Sequence, residues 1–98
     1  MNEKLKRTRS SGNVFKDLGF SRGEAENLKL RSELMMRIED FYRKSGLTQL
    51  DAAKQLGLTQ PRLNSLLKGR IDLFSLDALV FIASRAGMTV RLAVRNAA

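Results

Sequence analysis

Cysteine, histidine and tryptophan are absent from the 98 residues, and there is a single proline. Without cysteine there is no disulfide framework and no thiolate metal site. Without histidine the chain lacks the usual general base, the most frequent zinc ligand and the side chain that titrates nearest neutral pH. The ten acidic residues are scattered rather than paired in an apolar setting, so carboxylate acid–base chemistry has no visible seat. No cofactor, no metal and no enzymatic activity are expected. No apolar run approaches the ~20 residues that a membrane-spanning helix needs. The basic N-terminus is not followed by the apolar stretch of a secretory signal. A cytoplasmic location and no membrane partner are the expectation.

What the chain has in excess is positive charge. Eighteen lysines and arginines face ten acids, a formal net charge of +8, and the sequence pI is about 10.6. Such a balance favours a polyanionic partner. The excess is uneven. Residues 1–12 set Lys4, Lys6, Arg7 and Arg9 against Glu3, a net +3, while the five acids and five bases of residues 24–44 cancel. Residues 45–70 set Lys54, Arg62, Lys68 and Arg70 against Asp51, again +3. The length fits one domain with a modest core, which association with a second copy would help to stabilise.

Residues 1–12 are basic and almost free of apolar side chains, and they read as a disordered arm. Residues 13–98 read as a single domain. Val14, Phe15, Leu18 and Phe20 suit a short helical turn packed on it. Ser21-x-x-Glu24 is a capping box that opens a helix running to about Lys44, with Leu34, Ile38 and Phe41 at helical spacing and Gly46 as its stop. Thr48 caps a second helix over Gln49 to Leu56, with Leu50, Ala53 and Leu56 directed inward. Gly57 breaks it and Thr59 caps a third helix over about residues 60–68, where Pro61 is tolerated in the first turn. Ser75 caps a fourth through Ala86, with Leu76, Leu79, Val80 and Ala83 on one face. Met88, Val90, Leu92 and Val94 then alternate with polar or small residues, the pattern of a strand with one apolar face over about residues 88–95. Such a strand has no partner in an otherwise helical chain, and pairing with the same strand of a second copy supplies one. Phe81 and Ile82 add apolar surface to the expected homodimer contact.

The segment Leu47 to Gly69 is the one that carries function: cap, short helix, glycine turn, cap, short helix. Small Ala53 allows close approach of the two helices, and the start of the third is left projecting. Gln60, Arg62, Asn64 and Ser65 then suit base edges in a major groove, glutamine pairing with adenine and arginine with guanine. Gln49, Lys68 and Arg70, with the helix N-termini at Thr48 and Thr59, suit phosphate contacts. The expected partner is double-stranded DNA. A non-specific RNA-binding module is the alternative from another class, against which stands the scarcity of aromatics for stacking.

Thr48-Gln49, Ala53, Gly57, Thr59-Gln60, Leu63 and Gly69 fall in register with a known pattern, and Met35 to Ala86 resembles the Xre/Cro-type helix-turn-helix proteins, which include phage repressors. That resemblance implies a mainly α, lambda-repressor-like bundle in which Gln49 and Gln60 hold DNA, with Arg62, Asn64 and Ser65 among the base-reading positions. Pro61 departs from the pattern, since many members carry a polar reader there. The stretch VFKDLGF (Val14 to Phe20), the long first helix, TQPR (Thr59 to Arg62), GRIDLFSLDAL (Gly69 to Leu79) and the C-terminal strand resemble the HigA-type antitoxins and their stand-alone regulator relatives. The resemblance implies a repressor of its own toxin–antitoxin operon and a small RelE/HigB-type toxin as a further partner, which the chain would neutralise by direct binding.

Overall fold

The computed structural model describes residues 14–96, so the expected arm over residues 1–12 lies outside the described part. Within it, five α-helices follow in order: α1 (Val14–Asp17), α2 (Arg22–Ser45), α3 (Gln49–Leu56), α4 (Gln60–Leu67) and α5 (Leu76–Arg85), with one 3-10 turn at Ile71–Leu73. Each of the four longer helices starts where a hydroxyl satisfies an orphan backbone donor. Ser21 closes a full capping box: its Oγ accepts from the Glu24 N–H at 3.2 Å, and its own N–H donates to Glu24 Oε1 at 3.1 Å. Thr48, Thr59 and Ser75 accept from Asp51, Arg62 and Ala78 in the same way.

α2 is the platform on which α1, α4, the 3-10 turn and α5 pack, while α3 packs on α4 and α5. The core holds Ile38 of α2, Leu56 of α3, Leu63 and Leu66 of α4, Phe74 from the loop and Leu79 of α5, all nearly or completely excluded from solvent. Each such burial is worth about 1.5–3 kcal/mol, which outweighs the small capping and propensity contributions and decides how the helices sit.

That core corrects the expected rotation of two helices. On α3 the inward row is Ala52, Ala53 and Leu56, whereas Leu50 is 52% exposed. On α5 it is Leu79, Ile82 and Ala83, whereas Val80 is exposed. Both the expected and the observed rows obey the 3.6-residue period, and the pattern of one helix cannot choose between them. Ile82 is 4% exposed and belongs to the core, not to a subunit contact as expected.

The expected C-terminal strand is not seen: no strand is present among the described residues. A strand is defined by a hydrogen-bonded neighbour, and the helical remainder of the chain offers none. Its first residue, moreover, has another task. Gly87, at φ +87°, lets the N–H of Met88 reach the Ala83 carbonyl at 3.0 Å while its own N–H reaches Ser84 O at 3.0 Å. This is a Schellman closure, in which the residue after the glycine packs back on the helix it ends. Met88 accordingly rests against the core and is not part of an outward apolar row.

The turn between α3 and α4 depends on Gly57 in two ways. Its φ is +73°, and a Cβ there would lie 2.6 Å from Arg85 Nε, the atom that donates to the Gln55 carbonyl at 3.1 Å and ties α5 to the end of α3. Gly57→Ala is therefore expected to cost about 1–2 kcal/mol from the left-handed backbone alone, with any displacement of Arg85 adding to it. A urea midpoint that falls with unchanged slope is the expected result; an unshifted midpoint would show that the turn tolerates a side chain.

Candidate nucleic-acid interface

α3 and α4 pack through their alanine and leucine faces and leave the outer side of α4 to solvent. At about 100° per residue, Gln60, Asn64 and Lys68 form one row on that side, with Pro61 and Ser65 in the row beside it. Gln60, Pro61, Asn64 and Lys68 are exposed and Ser65 is half-buried, while Leu63 and Leu66 on the opposite side are buried. No acidic residue occurs between Gln60 and Arg70. The surface thus offers two amides, a hydroxyl and an ammonium with no carboxylate among them, a set able to donate to and accept from base edges and to approach phosphate.

The flanking positions expected to touch phosphate are accessible to different degrees. Thr48 and Thr59 are exposed at the N-caps, where their hydroxyls are engaged by the backbone. Gln49 is half-buried on the inward side of α3, and Lys68 and Arg70 are exposed beyond the end of α4. Among the described residues the ion pairs Arg37–Glu33 and Arg43–Asp40 both lie on α2, leaving the charges of Lys68 and Arg70 uncompensated by a paired carboxylate.

Arg62 is placed differently from the other expected base readers. The same helical spacing sets it about 40° from buried Leu66 and well away from the Gln60–Asn64 row. Its Nη1 donates to the Leu73 carbonyl at 3.1 Å, and its guanidinium carbon lies 4.3 Å from the centroid of the Phe74 ring. From the other side, Arg31 of α2 donates through Nη1 to the carbonyls of both Ile71 and Phe74 at 3.1 Å, with its Nε on Asn27 Oδ1 at 2.7 Å. Two guanidiniums thus hold the loop between α4 and α5. Sequence reasoning misses Arg31 because its acceptors are 40 and 43 residues away, beyond any local signal. Arg62 itself stays exposed; its angle away from the Gln60–Asn64 row, by contrast, is readable from the spacing of α4.

Among the expected dimer contacts, Phe81 is 73% and Leu92 87% exposed, and Val90 and Val94 are exposed as well. These four, and Val80, are exposed apolar side chains, whereas Ile82 and Met88 belong to the core. No helix among the described residues is long and apolar enough to cross a membrane.

A family model described as a helix-turn-helix domain matches residues 14–95, spanning every helix and most of the C-terminal segment. No curated protein matches the chain.

Proposed function

Because this chain belongs to the helix-turn-helix domain family, we propose that it is a sequence-specific DNA-binding regulator that acts by occupancy rather than by catalysis, as a repressor. The observation that carries this reading is the outer face of α4, where Gln60, Asn64 and Lys68 stand exposed on a segment free of acids. A helix presenting amides at its first two turns is the part that enters a major groove, and the positive residues beyond its end lie where phosphates pass.

A repressor of this kind works as a pair. The exposed Phe81, Val90, Leu92 and Val94 supply an apolar surface, and residues 89–96, which lie outside any helix or strand, supply backbone donors and acceptors. In this reading the C-terminal segments of two copies pair and set two α4 helices about 34 Å apart, one turn of the duplex. Nuclease footprinting of the DNA upstream of the chain's own gene tests the function: a protected near-palindrome supports a dimeric regulator, and equal affinity for that DNA and for random duplexes at physiological salt removes it.

Leu92→Asp with Val94→Asp is expected to leave the helical signal in circular dichroism intact and to shift sedimentation from dimer to monomer, weakening operator binding at nanomolar protein. If the unaltered chain already sediments as a monomer, the apolar surface is left for a different protein. The antitoxin role implied by resemblance supplies one. Coexpression with the product of an adjacent small reading frame then decides it, by rescue or failure to rescue growth.

A further inference from the structure

We propose that Arg62 is a positioning residue, which locks the loop behind α4 and so sets the tilt of that helix, and that base identity is read instead from the Gln60–Asn64–Ser65 face. The inference rests on the DNA-binding function proposed above. It starts from a mismatch between residue type and placement. An arginine in the first turn of a recognition helix is the side chain best suited to guanine, yet this one is turned toward its own chain.

Three features fix it there. Its Nη1 meets the Leu73 carbonyl at 3.1 Å. Its guanidinium carbon lies over the ring of Phe74, a residue 1% exposed and anchored in the core. Within the 3-10 turn at Ile71–Leu73 the Leu73 and Phe74 N–H groups bond to the Arg70 and Ile71 carbonyls, while the Leu73 and Phe74 carbonyls take side-chain donors. Arg62 supplies one of them, and Arg31 supplies those for Ile71 and Phe74. The result is a brace from the first turn of α4 to the loop that leaves its far end. To read a guanine, Arg62 would have to give up the carbonyl and the ring together and release the loop. A lysine cannot replace it, because stacking on a ring while donating sideways to a carbonyl needs a planar fork.

The brace and the reader make opposite predictions for sequence preference. Full-length wild type, Arg62→Ala, Arg62→Lys and Gln60→Ala are each used to select from a randomised duplex pool, at a temperature where circular dichroism shows every variant folded. Removing a base reader flattens preference at one base pair, by about 5- to 150-fold against the wrong base. Removing the brace weakens binding to all selected duplexes by a common factor. Arg62→Ala and Arg62→Lys are both expected to keep the wild-type preference profile with about tenfold weaker affinity throughout, whereas Gln60→Ala flattens one position. Leu79→Ala, a core truncation that leaves the Arg62 side chain, the Leu73 carbonyl and the Phe74 ring in place, is expected to keep wild-type affinity while folded, which separates positioning from mere stability. A flattened guanine position in Arg62→Ala overturns the proposal, as does affinity unchanged by the substitution or restored by lysine.

If wild type enriches no sequence at all, the function proposed above fails. The brace is then decided by hydrogen exchange at the Leu73 and Phe74 amides, which bond to the Arg70 and Ile71 carbonyls. Faster exchange in Arg62→Ala retains the brace, and unchanged exchange removes it.

Discussion

Phe74→Ala is expected to remove about 3–5 kcal/mol of folding stability, a large part of the roughly 5–15 kcal/mol that a domain of this kind has in total. The ring is 1% exposed and comes from a loop, so no surrounding helix can slide along its axis to fill the space. Its removal also takes the floor from under Arg62, whose guanidinium carbon sits 4.3 Å from the ring centroid. Urea unfolding followed by circular dichroism measures the first effect. A double-mutant cycle with Arg62→Ala measures the second, with a coupling of about 0.5–1 kcal/mol expected for a cation–ring pair at an accessible site. A destabilisation below about 1 kcal/mol for Phe74→Ala would mean that the loop packs elsewhere and that the brace has no anchor.

The features of this fold that could be read from sequence are those set by neighbours along the chain. Ser21, Thr48, Thr59 and Ser75 all cap helices because capping is decided within three residues. Gly57 stands where the backbone turns left-handed because only the end of one short helix and the start of the next are involved. What could not be read is what the rest of the molecule decides. Leu50 and Ala52 compete for the inward side of α3, and Val80 and Ile82 compete on α5. In each case the outcome depends on which side the neighbouring helices cover, α4 and α5 for α3 and chiefly α2 for α5, not on residue hydrophobicity. Met88 looks like the first residue of a strand until the closure of α5 is seen to use it. For the site, the Gln60–Asn64 row follows from the helical period alone. Arg62 has the chemistry of a base reader, while its angle on the helix sets it against the Leu73 carbonyl and the Phe74 ring. Arg31 acts on carbonyls that only the folded chain brings near it.

The strongest functional prediction separates the two kinds of interaction that α4 would make with DNA. Gln60→Ala with Asn64→Ala removes both outward amides without touching the core, so stability is expected to change by no more than about 0.5 kcal/mol. Each bidentate pairing of an amide with a base is worth about 1–3 kcal/mol, and the double substitution is expected to lower affinity for the footprinted site by roughly two to three orders of magnitude. Affinity for random duplexes should scarcely move, because that binding is carried by phosphate neutralisation. The slope of log affinity against log salt should therefore stay at its wild-type value. Lys68→Ala with Arg70→Ala reverses the pattern: weaker binding to every duplex and a slope shallower by about 0.9 for each phosphate that is no longer neutralised, with the ratio of specific to random binding preserved. The two double variants have to be measured together, since either alone could weaken binding by disturbing α4. Only opposite effects on the specificity ratio and the salt slope assign the amides to the bases and the cations to the backbone. If both variants lowered the slope and left the ratio alone, α4 would be lying along the phosphates, and sequence would have to be read from some other part of the chain.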